Sequence, residues 1–186
     1  MKKRSHKSFR ALLLEHWEAA IHIADELERA KPSVVEKFWH EVDEGLRRRK
    51  STTESDVFDE GAWATIKGWP EGLYLSLYSK HSDWGRRKFV CEVTAECESP
   101  QAKKVVRALK NYPPIGGLKH YPPYHDAKDG TTYTGVYVVL GLSRDPDEWP
   151  VLGGRGAVVL AREVKKKAEH FVENVTPAIR KAMRKR

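Results

Sequence analysis

Tyr74 and Tyr78 interrupt an alternation of Leu73, Leu75 and Leu77 with polar residues, and Tyr133 and Tyr137 do the same opposite Val136, Val138 and Leu140. Residues four apart in a strand share a face, so each pair shows two rings on one side. If the two strands belong to one sheet with their aliphatic sides aligned, four tyrosines meet. Such a surface stacks unpaired bases, and Arg86 and Lys88 stand near enough in sequence to hold phosphates. The competing reading has helices covering this side, with the tyrosines packed and their hydroxyl groups satisfied at its edge. With four helical segments to accommodate, coverage is the expectation.

The other residues of chemical interest form weaker patterns. Trp63, Trp69 and Trp84 fall in loops or at element ends, where an indole serves as an anchor for a partner protein. Arg47, Arg48, Arg49 and Lys50 close a helix, as cations do at the negative end of its dipole, or present a phosphate site. His81-Ser82-Asp83 holds three triad residue types, but triads converge in space, and no nucleophile elbow surrounds this serine. His120 and His125, with Asp126 and Asp129 nearby, lie in a proline-rich stretch that imposes no ligand geometry. Gly153-Gly154-Arg155-Gly156 precedes a helix but matches no phosphate-loop spacing. No catalytic residue, metal ligand set or cofactor is assigned.

Elements that would position these groups are legible in the periodicity. Helical spacing runs over 8–30 through Trp17, Ala20, Ile21 and Ala24. Lys31-Pro32 is expected to break it, and Ser33 to cap a second helix over 34–50 with Val35, Phe38, Trp39, Val42 and Leu46 inward. The polar, acidic run 51–60 reads as a loop. Two strands around Leu73 to Tyr78 and Lys88 to Cys97 flank the polar loop 80–86. Ser99-Pro100 opens a short helix over about 100–110. Residues 111–125 hold four prolines and read as a loop with one edge strand near Leu118 to Tyr121. Thr131 to Leu142 is the clearest strand. A final helix carries Leu160, Val164, Ala168, Phe171, Val172 and Val175, with Pro177 expected to disturb or end it. The prediction is one α+β domain, a small antiparallel sheet of three to four strands packed with N-terminal and C-terminal helices.

The charge of +8 is concentrated at the ends. Lys2, Lys3, Arg4, Lys7 and Arg10 stand before residue 11, and Arg180, Lys181, Arg184, Lys185 and Arg186 follow residue 179. Taking these ten from 34 leaves 24 basic residues against 26 acidic ones, so nucleic-acid contact by charge belongs to the termini. No apolar run approaches the roughly 20 residues of a membrane helix, and the basic N-terminus lacks the apolar core of a secretion signal. Cys91 and Cys97, about 20 Å apart along one strand, lie beyond bridging distance and suit small buried side chains in a cytoplasmic protein.

Phe38-Trp39, the hairpin from Leu73 to Val93, the stretch Leu142-Ser143-Arg144-Asp145-Pro146-Asp147-Glu148-Trp149-Pro150 and the terminal Val175-Thr176-Pro177-Ala178-Ile179 together resemble an uncharacterised domain. That domain is found C-terminal to restriction-endonuclease-like PD-(D/E)XK domains in bacterial proteins. The similar stretch covers about residues 34–180. The resemblance implies a role beside nucleic-acid processing or phage defence and transfers no catalytic residue. The nuclease pattern itself, an acid followed by Glu-x-Lys holding a divalent metal, is not met by Glu92-Val93-Thr94 or Glu96-Cys97-Glu98. The expected function is therefore a non-catalytic nucleic-acid-associated module. The alternative is a protein-binding module or inhibitor encoded by a phage or mobile element.

Overall fold

A computed structural model describes residues 14, 16–58, 61–81, 87–112, 117–142 and 155–184. The apolar stripe ending at Leu46 belongs to a 31-residue helix α1, Trp17–Arg47. Six strands follow in chain order, β1 (Thr52–Phe58), β2 (Gly61–Ile66), β3 (Leu73–His81), β4 (Arg87–Glu96), β5 (Lys119–His125) and β6 (Thr132–Val139). Helix α2 (Pro100–Lys110) lies between β4 and β5, and α3 (Arg155–Arg184) follows β6. All pairings are antiparallel, in the order β1-β2-β3-β4-β6-β5. The α+β class holds, and the sheet has six strands rather than three to four.

The two additional strands on one side are β1 and β2. β1 occupies the run expected to be a loop. Its charges sit on an edge strand, where exposed polar side chains are tolerated and discourage further pairing. β2 carries Ala62 and Ala64 inward, both fully buried, where α1 crosses. Small residues permit that approach but give little hydrophobic alternation to read. At the opposite edge β5 extends through Pro122 and Pro123 to His125, further than the expected stretch. An edge strand leaves one side of its backbone unpaired, so missing N–H donors are accommodated.

Two helix boundaries also differ from expectation. Pro32 does not break α1. Proline's fixed φ is helical, and Pro32 and Ser33 are exposed, so water can take the carbonyl that loses its donor. Only the later half of α1 reaches the core: Val35, Phe38, Trp39, Val42 and Leu46 are buried, whereas Trp17, Ile21 and Ile23 are exposed. Pro177 likewise lies within α3, which continues to Arg184 because Ala178, Ile179 and Ala182 still pack in the core. Helix α2 begins as expected, with Ser99 Oγ accepting from Ala102 N at 3.3 Å and Pro100 in the first turn.

The core lies between one face of the sheet and the helices. Leu73, Leu75 and Leu77 of β3 and Phe89, Cys91, Val93 and Ala95 of β4 point into it. α1 packs on β1 and β2, α2 on β4 and β6, and α3 contacts both other helices and β4. Among the described residues, the helices thus form a single layer on the aliphatic face. Cys91 is buried within this layer, and burial pushes its thiol well above the ordinary range. Both cysteines are free.

Candidate functional site

The sheet face opposite the helices gathers the tyrosines, and the strand register determines how. β4 runs between β3 and β6, so Tyr74 and Tyr78 are separated from Tyr133 and Tyr137 by Glu92, Thr94 and Glu96. Ser76 stands opposite Glu92, which in turn stands opposite Tyr137. From β2, Trp63 lies opposite Ser76 and meets Tyr74 edge to face at 5.7 Å. From β5 come Tyr121 and Tyr124. Residues three apart in a regular strand face opposite ways, but the register shifts between Tyr121 and Tyr124, where two prolines intervene. That irregularity turns both rings to the same side: Tyr121 pairs with Gly135 and Tyr124 with Tyr133. Helical coverage of this face, the expectation from the sequence, does not occur among the described residues. The buried stripes of the later half of α1, of α2 and of α3 all pack on the aliphatic side.

The result is an open cup of about 870 Å³. Phe58 closes it from β1, and Asp126, Lys128 and Asp129 line it at the turn between β5 and β6. Glu92 forms its floor and is only 3% exposed. Its carboxylate accepts from Tyr78 Oη at 2.8 Å, from Thr94 Oγ1 at 2.6 Å and from Tyr121 Oη. A buried carboxylate is costly unless hydrogen bonded, and donors to an ionised acceptor make the stronger class of bond. Tyr74 Oη donates to Glu96, and Tyr133 Oη donates to Asp129 at 2.6 Å. The phenol groups of Tyr74, Tyr78, Tyr121 and Tyr133 therefore point into carboxylates, which fixes those rings.

Gly135 makes this floor possible. A Cβ at that position would lie 2.6 Å from Tyr121 Oη, 2.6 Å from the Val93 carbonyl oxygen and 2.8 Å from Glu92 Oε1. A glycine inside a strand marks such a close approach.

These surroundings hold the phenols in the protonated form. Burial, then the Glu92 charge, pushes Tyr124 up to about 12. Burial, then the bond to Asp129, does the same for Tyr133, also to about 12. Tyr78 and Tyr121 are raised further, again by burial first and Glu92 second. Asp129 is lowered, chiefly because Tyr133 donates to it. An unfolded tyrosine titrates near about 10. A raised folded value means that the native state holds these protons more tightly. Its contribution to stability is therefore complete below about pH 10 and is lost as pH rises through the folded values. Through this titration melting temperature should fall as pH rises from about 10 to about 12. Phenolate absorbance of the folded protein should rise later than that of the urea-unfolded chain, and coincident curves would contradict this account.

Of the residues singled out in the sequence, Trp63, Tyr74, Tyr78, Glu92, Asp126, Asp129, Tyr133 and Tyr137 come together in this cup. Lys88 is exposed on the same strand face as Glu92 but outside the cup lining. Trp69 is not an exposed anchor: it is 9% exposed within the core, and its Nε1 donates to Thr176 Oγ1 at 3.3 Å. Arg47 pairs with Asp43 at 2.8 Å and donates to the Ser55 carbonyl, while Arg48 pairs with Glu44 at 2.9 Å. These two guanidinium groups serve the end of α1 on the helix side of the sheet. Arg49 is half-buried and Lys50 exposed beside them. Arg184 is exposed at the end of α3. Lys2, Lys3, Arg4, Trp84, Arg86, Lys185 and Arg186 lie outside the described residues, as do most of 142–150 and the glycines before α3. Among the described residues no group of three or more His, Cys, Asp or Glu side chains is arranged to hold a metal, and no helix is long and apolar enough to cross a membrane.

No family model matches the chain, and comparison with curated proteins and with solved structures finds no match either.

Sequence reasoning missed Phe58, Tyr121, Tyr124 and Lys128 among the lining residues, and Gly135 beneath them. Glu92 was visible there only as a poor metal ligand or a cross-strand charge. Two signals were present: a glycine in the middle of the clearest strand, and two prolines flanked by tyrosines in Tyr121-Pro122-Pro123-Tyr124.

Proposed function

We propose that this protein acts by binding, and that the tyrosine cup is where its ligand docks. The observation that carries this reading is the cup itself. Its volume of about 870 Å³ falls within the range of ligand sites. Eight aromatic side chains line it, all carried on strands of one sheet. A surface of that kind would lose apolar area to a ligand without reorganising, which lowers the cost of association.

A nucleic-acid-associated role, in phage defence or restriction as the resemblance implies, would use the same rings to stack unpaired bases. Arg180, Lys181 and Arg184 are exposed along the end of α3, in the helix layer on the other side of the sheet, so phosphate contacts there would be separate from base stacking in the cup. A protein-binding role would instead seat a partner's side chain against Trp63.

Tyr137→Ala tests the site. The side chain is half-buried on the open face, so its loss should cost well under the roughly 3–5 kcal/mol of a core aromatic. Ligand-detected NMR against a fragment library should find binders whose signals vanish in the variant. A single-stranded oligonucleotide that stacks there should lose roughly 1–3 kcal/mol of affinity, measured at low salt. Fragment and oligonucleotide binding both unchanged in a folded Tyr137→Ala protein would remove the cup from consideration.

A further inference from the structure

Resting on the reading of the cup as a binding site, we propose that the group it recognises is a methylated ammonium, a cation that offers no strong hydrogen-bond donor. Three features of the cup converge on this chemistry.

The first is its charge. Three carboxylates line the cup, those of Glu92, Asp126 and Asp129, against one ammonium, that of Lys128. A phosphate entering here meets net negative charge, whereas a cation is attracted. Focusing of the field in a concave, partly desolvated site strengthens that preference.

The second is the disposition of the rings. Tyr121 lies 5.6 Å from Tyr124 and 6.3 Å from Tyr137, and Tyr124 lies 5.8 Å from Tyr133. These four rings are inclined to one another by 35–49°, so they form a faceted wall rather than a closed stack. The negative π faces of such a wall attract a cation placed within about 6 Å of their centroids.

The third feature selects among cations. Four of the six tyrosine hydroxyls already donate to the protein's own carboxylates: Tyr78 and Tyr121 to Glu92, Tyr74 to Glu96 and Tyr133 to Asp129. Glu92 in turn accepts from three hydroxyls. A primary ammonium or a guanidinium brings several donors that need acceptors on entering a desolvated site. At the buried floor the Glu92 oxygens are already engaged with Tyr78, Tyr121 and Thr94, and the other lining carboxylates, Asp126 and Asp129, stand at the outer turn between β5 and β6. A trimethylammonium brings methyl groups and diffuse charge, and aromatic faces backed by fixed carboxylates satisfy both. The group can be borne by a free small molecule or by a trimethylated lysine in a peptide, and the experiment separates these sources.

Titration calorimetry of the full chain would compare five probes. These are choline, its neutral isostere with carbon in place of nitrogen, a short peptide carrying trimethyl-lysine, the same peptide unmodified, and a single-stranded oligonucleotide. Choline or the methylated peptide should bind about tenfold or more tightly than its uncharged or unmethylated counterpart. Tighter binding of choline would assign a free ligand, and tighter binding of the methylated peptide a side chain. Glu92→Gln should weaken the cation about tenfold while sparing the isostere. Should that variant fail to fold, Tyr124→Leu replaces an exposed ring with an aliphatic group of useful bulk, and it should weaken the cation selectively. If the isostere or the oligonucleotide binds as well as the cations, and that binding depends on Tyr137, the cup stands as a site and the cation proposal falls. If no probe shows binding that depends on Tyr124 or Tyr137, both fall.

Discussion

Trp39→Ala should be the most damaging single substitution on the helix side, costing about 3–5 kcal/mol. Trp39 is 1% exposed and meets Phe38 edge to face at 5.3 Å and Phe89 at 5.4 Å. Phe38 and Phe89 are also 5.4 Å apart, so the three rings form a closed cluster joining α1 to β4. Truncating one member leaves a void that two rigid neighbours cannot collapse to fill. At about 2–4 °C per kcal/mol for a chain of this size, the melting temperature should drop by roughly 6–20 °C. That is a large part of the 5–15 kcal/mol that typically separates folded from unfolded. Trp17→Ala is the matched control: the same deletion on α1, at a side chain that is 57% exposed, should stay within about 0.5 kcal/mol. Equal melting temperatures for the two variants would mean that α1 does not pack as described.

The second large effect is expected on the other face, from the addition of one methyl group. Gly135→Ala would place a Cβ against the Val93 carbonyl oxygen at 2.6 Å and against the hydroxyl of Tyr121 at the same distance. The carbonyl belongs to the centre of β4 and cannot retreat without disturbing its ladder with β3 and β6. Overpacking of this kind costs about 1–3 kcal/mol. It should also force Tyr121 off Glu92, leaving a buried carboxylate short of a donor, so the cup should lose ligands even in the fraction that folds. Gly141→Ala is the comparison, since nothing lies within 4 Å of its added Cβ, and its melting curve should overlay that of the parent. A Gly135→Ala protein of undiminished stability, with unchanged aromatic NMR shifts, would show that the floor is looser than the distances state.

Some of this architecture was readable from the residues alone because it depends on local spacing. The buried stripe from Val35 to Leu46, the cap at Ser99 and the alternation in β3, β4 and β6 each follow from the period of a single element. So does the pairing of Tyr74 with Tyr78, and of Tyr133 with Tyr137, on one side of their strands. Local spacing does not state which strands are neighbours, and a slip of one position reverses every side chain. The insertion of β4 between β3 and β6, which puts Glu92 beneath the rings, is a property of the sheet. β1 and β2 escaped notice because an edge strand tolerates charge and an alanine-lined one shows weak alternation. The bulge that turns Tyr121 and Tyr124 to the same side depends on pairing with β6. Which face the helices would take was likewise undetermined by their stripes, each of which asks only for an apolar surface. Tertiary packing decided it: the helical stripes meet the leucine and valine side of the sheet, whereas hydroxyls on the tyrosine side needed acceptors, which carboxylates of the sheet and its turn supply. Among the described residues the helices lie in one layer there, and the opposite face is left with its rings, its buried carboxylate and room for a ligand.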